Sequence, residues 1–488
     1  MFGIRFYHSW RGQLCVILCQ SFIKVKQVKL SYKYLLALIY TVVVFLDRLD
    51  LTIVNITLPT VAKTFHVPVV STDWVNLAFL LALAIAIPIS TWLAERFGYK
   101  RIYILAMSLF GFGSTLCAFA PNLDTLIFLR FIHGLGGGLL IPVGATMIYR
   151  TYDRAEYASI TSYIFLPALV APAIGPFLGG LMLDWVSWRL VFFFSGPICL
   201  FIALVSAFYL KEMPHTQKKP LDLYGFLLSA AMLIIVFYAF SLLGKDQIML
   251  ALGLLIFILL PLLFVFIRIE KHTQYPLIEL NFFQNKTFVK ANLIQLCFQT
   301  CHFGAIFLVG LFLQMGVGLS ATMAGLIMGM QAFGAMAVSR YSVKLFNQYG
   351  AKLPIAVGLL GVAVLTPMIL WIHQGVLIFA LILFFVRGLA SGLCGTPIQT
   401  LSVIGFSKDD LPSVNTVFNA CRQVSISFGV ALSSVLVGLS LQTLNLKPDS
   451  LIPKEEVMHV FGFGFWILPI IALIGIVLLK GLRYDTPT

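Results

Sequence analysis

Charged residues are scarce in this chain. Asp, Glu, Lys and Arg make up 11% of its 488 residues, whereas 60% are hydrophobic and the mean hydropathy is +0.97. That profile excludes an ordinary soluble globular protein. Acidic residues are the scarcer sign, 19 against 33 basic ones, for a net charge of +14. Because the positive charge is scattered over short segments, we expect no nucleic-acid partner and interpret it as a membrane topology signal.

Short motifs for phosphate and metal chemistry are also absent. The sequence has no Gly-x-x-x-x-Gly-Lys-Ser/Thr loop, which argues against a self-contained ATP-driven pump, and no His-Glu-x-x-His pair. All eight cysteines lie in apolar segments without a paired external framework. We therefore predict no enzyme activity, no metal and no cofactor.

Long uncharged runs dominate what is present. Each has about the 20 residues that a membrane-spanning helix needs, and no remaining loop is long enough for a soluble domain. We predict an all-α polytopic membrane protein with fourteen spans, centred in 34–58, 74–93, 102–120, 126–148, 157–183, 190–210, 223–243, 247–267, 288–312, 322–343, 353–373, 376–400, 412–440 and 459–480.

The basic residues predict orientation. With the N-terminus inside, 24 of the 33 basic residues fall in cytoplasmic segments and five in the opposite loops. Both termini are then cytoplasmic, in a multi-pass protein of the cell inner or plasma membrane. Residues 1–33 are basic around a short apolar stretch and fit either an interfacial helix or a misassigned start codon.

The first span carries charges at its centre. Asp47 and Asp50 lie 60° apart on a helix, and Arg48, Thr52 and Asn55 form a neighbouring polar stripe. Ionisable groups at that depth are costly and mark an ion or substrate pathway. We expect this helix to face a watery cavity inside a bundle.

A charged turn joins spans two and three. Glu95 and Arg96 end one helix, Gly98 forms the turn and Arg101 lies at the start of the next, while a related segment at 345–352 follows 252 residues later. An internal repeat of half the chain is typical of transporters built from two related bundles.

Spans four and five contain arginine, glycine and proline in a regular arrangement. Arg130 begins a segment with Gly134 and Gly138, a spacing that lets helices approach closely. Such a buried Arg needs a carbonyl or carboxylate acceptor. In span five, residues 171–180 hold two prolines, so this helix should bend. Its predicted gating residues are Gly175, Pro176, Gly179 and Gly180.

Together these segments resemble the major facilitator superfamily, specifically its fourteen-span drug:proton antiporter branch. The resemblance covers residues 34 to 480 and includes residues 49–59, 91–101, 130–138, 171–180, 188–189, 314–325 and 419–423. Departures from the usual pattern are Thr91, Glu95, Tyr99, His133 and Ala171, with Asp47 and Arg48 as additional charges.

The resemblance implies two six-helix bundles with two inserted helices. The implied parts are a basic cytoplasmic segment (1–33), an N-terminal bundle (34–210), two inserted helices with linkers (211–286), a C-terminal bundle (287–480) and a cytoplasmic tail (481–488).

The implied function is proton-coupled export of lipophilic drugs or toxic compounds by alternating access. Its partners would be a small lipophilic substrate, protons and the lipid bilayer; the need for a periplasmic adaptor stays open. Alternatives are an exporter of one endogenous metabolite or siderophore, and a non-transporting membrane sensor or enzyme.

The predicted site residues follow in part from this resemblance and in part from the charges and the repeat of the sequence itself. We predict proton coupling by Asp50 and Arg130, assisted by Asp47 and Arg48, and gating by Glu95, Arg96, Gly98 and Arg101. The predicted cavity-lining residues are Asn55, His302, Asn419 and Arg422. His302 follows from shifting Asp50 by the 252-residue repeat; the alternative is a histidine that only joins two helices.

Overall fold

The structure, a computed structural model, describes residues 32–153, 156–213, 220–243, 247–274, 276, 279–406, 410–444, 456–480 and 482. The described residues form helices and connecting turns, with no strand among them. The segment 1–33, apart from its last two residues, and the tail 481–488, apart from Leu482, lie outside the described part of the chain.

The α-helices are α1 (Tyr32–Ile53), α2 (Leu58–Phe65), α3 (Asp73–Phe97), α4 (Tyr99–Cys117), α5 (Leu123–Thr151), α6 (Tyr157–Trp185), α7 (Trp188–Tyr209), α8 (Leu223–Leu243), α9 (Ile248–Gly253), α10 (Leu260–His272), α11 (Lys286–Leu311), α12 (Ala321–Tyr349), α13 (Lys352–Leu365), α14 (Leu377–Val403), α15 (Leu411–Thr443) and α16 (Val457–Leu478).

Eleven helices in the described part of the chain are long and apolar enough to cross a membrane. The other three predicted spans are helical as well, as α1, α4 and α6. The predicted all-α polytopic class is confirmed, and the helices are consistent with the fourteen predicted spans.

The first predicted span is not one continuous helix. A 3-10 turn, Val54–Thr57, interrupts it before α2, where Pro59 occupies the first helical turn. Thr52 and Asn55 donate to the carbonyls of Leu49 (3.0 Å) and Leu51 (3.1 Å), so polar side chains bond the backbone just before and within the turn. The eighth predicted span contains a π-helical stretch, Leu254–Leu259, between α9 and α10.

Two sets of helices pack around the centre of the molecule. In the first half, α5 packs on α3 and α4, α4 on α7, and α1 on α6; in the second, α14 packs on α12 and α13, and α11 on α15 and α16. The halves meet where α6 packs on α12 and α3 on α15. The predicted bundle boundaries stay a prediction.

Glycine permits the close approach of α5 to its neighbours. A Cβ on Gly138 would lie 2.7 Å from the Cβ of Ala86 on α3, and one on Gly113 of α4 would lie 2.7 Å from the Cα of His133. The spacing of small residues in the sequence therefore corresponds to real helix–helix contacts. This packing brings Arg130 of α5 against α1 and α3.

Candidate functional site

A buried ion pair joins α1 to α5. Arg130 Nη1 donates to Asp50 Oδ2 at 2.7 Å, and each side chain is 1% exposed. Arg130 Nε also donates to the carbonyl of Val75 at 3.0 Å, and the guanidinium lies 4.2 Å from the centre of the Phe79 ring. The arginine thus has a carboxylate, a carbonyl and an aromatic face as partners, as such a buried charge requires.

His133 lies one turn after Arg130 on α5 and contacts the same guanidinium. Its Nδ1 is 2.9 Å from Arg130 Nη1, and its ring centre is 4.2 Å from that of Phe110 and 5.1 Å from that of Phe79. The sequence marked His133 only as a departure from the family pattern. In the structure it helps hold Arg130 against Asp50.

Asp47 and Arg48 do not take part in that ion pair. Asp47 is buried beside α5, where a Cβ on Gly137 would lie 3.3 Å from its Oδ1, and this oxygen has no hydrogen-bond partner among the described residues. Arg48 Nε lies 3.8 Å from Asp47 Oδ2, and the Arg48 side chain is 29% exposed. The four predicted coupling residues therefore separate into one tight pair and two neighbours.

A cavity of about 220 Å³ lies between the two halves. Both halves contribute to its wall, which consists of Arg48, Leu51, Thr52, Pro172, Pro176, His302, Phe303, Ile306, Val309, Met328, Gln331, Ala332, Ala335, Phe384 and Ser391. A second space of about 20 Å³ is lined by Asn55, Asn76 and Arg130 among others. There Asn76 Nδ2 donates to Asn55 Oδ1 at 2.9 Å.

A second buried polar cluster lies in the other half. Arg387 of α14 is fully buried; its Nη1 donates to Gln331 Oε1, and its Nε donates to Thr366 Oγ1 at 3.2 Å. Gln331 Nε2 in turn lies 3.4 Å from both ring nitrogens of His302. This chain of contacts joins α11, α12 and α14, and it runs from His302 and Gln331 in the cavity wall to the buried Arg387.

Sequence reasoning missed part of this cluster. Arg387 has a signal in the sequence, because it is the single charge in the apolar run 353–407, but no site role was predicted for it. Gln331 had none, since one amide on a helix carries no pattern. His302 lines the cavity and also contacts Gln331 of α12, so its role as a cavity residue and its role as a helix-joining histidine both stay predictions.

The remaining predicted cavity residues lie elsewhere. Asn419 Nδ2 donates to the carbonyl of Asn415 at 2.8 Å on its own helix α15. Arg422 lies one turn further along α15, and its Nε is buried without a hydrogen-bond partner among the described residues. Neither side chain lines the two cavities described above.

The turn between α3 and α4 is built around Gly98. Its φ of +104° is strained for any residue with a side chain, and a Cβ there would lie 2.8 Å from the Glu212 carboxylate. Glu212 also accepts from the Lys100 backbone N–H at 3.0 Å. The side chains of Glu95, Arg96 and Arg101 form no hydrogen bond or ion pair within the described ranges. Glu212 could not be predicted from the sequence pattern.

The glycines of α6 face two different helices. A Cβ on Gly179 would lie 2.7 Å from Ile53 of α1, and one on Gly175 would meet Thr52. In contrast, Gly180 lies against the backbone of Ala321 and Thr322 on α12, and the Pro176 carbonyl lies against Gly325. Of the predicted gating residues, Pro176 and Gly180 thus contact the other half of the molecule.

Hydrogen bonds reinforce that junction. Asp184, near the end of α6, accepts from the backbone N–H groups of Thr322 (2.8 Å) and Ala321 (3.3 Å) at the start of α12. Gln314 Nε2 donates to the carbonyl of Ile56 at 3.0 Å in the same region. A carboxylate at a helix N-terminus is stabilised by unpaired N–H groups and by the helix dipole.

These features define a class. A multi-pass helical membrane protein with two packed halves, a cavity between them and a buried ion pair beside it has the architecture of a membrane transporter.

Comparison with known proteins identifies the family. A family model described as Major Facilitator Superfamily matches residues 40–430. The chain therefore belongs to the major facilitator superfamily. The predicted resemblance is confirmed, and the family groups the chain with transporters rather than enzymes.

Named relatives and solved structures agree with this assignment. MdtD of Klebsiella pneumoniae (strain 342), named as a candidate multidrug resistance protein, is 29% identical over 405 residues, which cover 81% of this chain and 84% of that protein. MdtD of Enterobacter sp. (strain 638) is 27% identical over 91% of this chain and 93% of its own length.

Two crystal structures share the fold. A bacterial homologue of the human lysosomal transporter Spinster, inward-facing and unoccupied, has a TM-score of 0.63 at 16% identity and covers 92% of this chain and 97% of its own. A D-xylose-proton symporter has a TM-score of 0.66 at 14% identity, and the match covers 93% of this chain and 99% of the symporter.

Proposed function

We propose that this protein is a proton-coupled exporter of small lipophilic compounds, working by alternating access in the cell membrane with both termini in the cytoplasm. The observation that carries the proposal is the buried Asp50–Arg130 pair, 2.7 Å apart, on helices that border the spaces at the centre of the molecule. The similarity to MdtD, named for multidrug resistance, supports a drug-like substrate.

Proton coupling requires a carboxylate whose proton affinity changes as access alternates. Burial in apolar surroundings favours the neutral form of an Asp, whereas a nearby arginine favours the charged form. Asp50 is 1% exposed and bonded to Arg130. A movement of α5 that lengthens this bond would lead Asp50 to take up a proton, and the return movement would release it.

Alternating access requires contacts between the two halves that can break at one end of the cavity. If the basic-residue asymmetry sets orientation, the junction of Asp184 with α12 and of Gln314 with Ile56 lies on the external side. The described conformation then has its external side held closed, and substrate would reach the cavity from the cytoplasm. Opening that junction would release the substrate on the external side.

The test is transport in proteoliposomes with an imposed pH gradient and a panel of lipophilic compounds. We expect Asp50→Asn to insert and bind substrate but to lose gradient-driven transport. Asp47→Asn is the matched control, because it removes a carboxylate that is also buried but forms no ion pair with an arginine of α5. This variant should impair transport less.

Two results would change the proposal. Undiminished proton coupling in Asp50→Asn would place the proton site elsewhere, with Asp47 as the next candidate. Transport of a single compound from the panel would favour the exporter of one endogenous metabolite over a multidrug exporter.

A further inference from the structure

The cavity between the two halves has an unbalanced charge. Among the residues of its wall, Arg48 is the charged one, and no carboxylate lines it. The nearest acidic groups on α1 do not line the cavity: Asp50 is bonded to Arg130, and Asp47 is buried beside Gly137 with its Oδ2 3.8 Å from Arg48 Nε. A cation placed in this cavity would therefore meet an arginine and no exposed counter-ion.

Arg48 is available to a ligand. Its contact with Asp47 runs through Nε at 3.8 Å, longer than a hydrogen bond, and its side chain is 29% exposed. Within the described residues, its guanidinium forms no hydrogen bond. Guanidinium groups present several N–H donors in a fixed fork that matches carboxylate, sulfonate and phosphate oxygens.

The opposite polar wall also presents donors. Arg387 donates a hydrogen bond to Gln331 Oε1, so the NH₂ group of that amide is the part not bonded to Arg387. This NH₂ group faces the His302 ring at 3.4 Å, and both residues line the cavity. A neutral imidazole that accepts at one nitrogen carries its hydrogen on the other. Gln331 and His302 can therefore each donate to a ligand oxygen.

The two hydroxyl groups of the wall do not alter this balance. Thr52 donates to the carbonyl of Leu49 at 3.0 Å, and Ser391 donates to the carbonyl of Gly388 at 3.0 Å. Both are neutral and use their hydrogens within their own helices. The rest of the wall is mainly apolar, with Phe303, Ile306, Val309, Met328 and Phe384 among its members.

From this arrangement we infer that the cavity binds lipophilic anions, with the acidic group held between Arg48 and the Gln331–His302 pair and the apolar body against the remaining wall. The inference deepens the proposed function and rests on it for the direction of transport. It concerns binding, which is measurable without any proton gradient.

The experiment uses two ions of nearly the same size and shape and of opposite charge, tetraphenylborate and tetraphenylphosphonium. Equilibrium binding of each radiolabelled ion is measured on the immobilised full-length protein, with protein-free detergent micelles subtracted. In the unmodified protein we expect tetraphenylborate to bind about tenfold more tightly or better, because the charge interaction lies in a partly desolvated site.

Three variants make the test specific. Arg48→Gln should abolish the preference for the anion, and Arg48→Lys should retain most of it. Arg340→Gln is the matched control: it removes an exposed arginine of α12 that does not line the cavity, and it should leave the preference intact. If Arg340→Gln lost the preference for the anion as fully as Arg48→Gln, the cause would be the net charge of the protein, and the inference would be overturned.

Other outcomes are equally decisive. Equal binding of the two ions, tighter binding of tetraphenylphosphonium, or binding of neither ion overturns the inference. If the anion binds as expected but no pH gradient drives its export, the binding site stands and the proposed proton-coupled export fails.

Discussion

At the scale of single residues, Asp47 and Asp50 show how two carboxylates three residues apart on one helix can differ. Both carboxylates are buried. Asp50 has Arg130 at 2.7 Å, whereas one oxygen of Asp47 has no hydrogen-bond partner among the described residues and the other lies 3.8 Å from its chain neighbour Arg48. Removing one partner of a buried pair leaves an uncompensated charge, but removing a poorly paired buried charge relieves a cost.

Thermal stability should therefore separate the two variants. We expect Asp50→Asn to lower the unfolding temperature in detergent, since Arg130 loses its anion; such a loss costs about 3–5 kcal/mol when nothing compensates. The carbonyl of Val75 and the ring of Phe79 remain as partners of Arg130, so the cost should fall below that range.

Asp47→Asn should leave the unfolding temperature unchanged or raise it. The measurement is a thermal shift series on both purified variants at the same pH. If Asp47→Asn proved the more destabilising of the two, the charge interactions of Asp47 with Arg48 and with the buried Arg422 would outweigh the cost of burying its carboxylate.

The sequence predicted much at this scale, for a definable reason. A charge inside an apolar run is visible without a structure, so Asp50 and Arg130 were predicted as site residues. Gln331, Glu212 and Asp184 were not, because their importance comes from what lies opposite them: Arg387, the turn at Gly98 and the start of α12. Such partners become known only from tertiary packing.

At the scale of elements, the junction of α6 with α12 depends on the absence of side chains. Gly325 lies against the carbonyl of Pro176, Gly329 against that of Ala173, and Gly180 against the backbone of Ala321. The sequence predicted a hinge in α6 from its glycines and prolines. It did not distinguish Gly179, which faces α1, from Gly180, which faces α12, because the identity of the neighbouring helix is not encoded locally.

A methyl group at this junction should force the two helices apart. We expect Gly325→Ala to insert normally but to shift the protein toward the state in which this end is open, because its Cβ would overlap the Pro176 carbonyl. Gly395→Ala on α14 is the matched control, since no atom lies within 4 Å of a Cβ at that position.

The measurement is the distance between spin labels on cysteines introduced at Trp185 and Met458, which are both exposed. A longer and broader distance distribution in Gly325→Ala, with no change in Gly395→Ala, is expected. Identical distributions in the two variants would mean that this contact does not control opening.

At the scale of the whole molecule, hydrophobic run length was enough to predict the fold class. Every predicted span lies in helical structure, with changes of helix type in the first and the eighth, since about 20 apolar residues in a bilayer have little choice other than a helix. The 3-10 turn at Val54–Thr57 and the π-helical stretch at Leu254–Leu259 were not predicted. The length of a hydrophobic run carries no information on such local changes of helix type. It also does not show which helices and residues line a cavity.

The charge of the substrate has a consequence for the energetics of the complete transport cycle. If one proton enters for each monovalent anion exported, both movements transfer positive charge inward, so the cycle moves two elementary charges. Exchange of one proton for a monovalent cation moves none. An inside-negative potential contributes about 2.3 kcal/mol per charge at 100 mV, so anion export gains about 4.6 kcal/mol.

We therefore expect export of a lipophilic anion from proteoliposomes to accelerate when a potassium diffusion potential, negative inside, is imposed at a fixed pH gradient. The reason is that the two charges cross the field in the favourable direction, and reversing the potential should slow export. Arg48→Gln serves as the comparison, because loss of the anion preference should remove most of the anion flux at either potential. Anion export that is insensitive to potential would show that the cycle is electroneutral, which contradicts exchange of one proton for one anion.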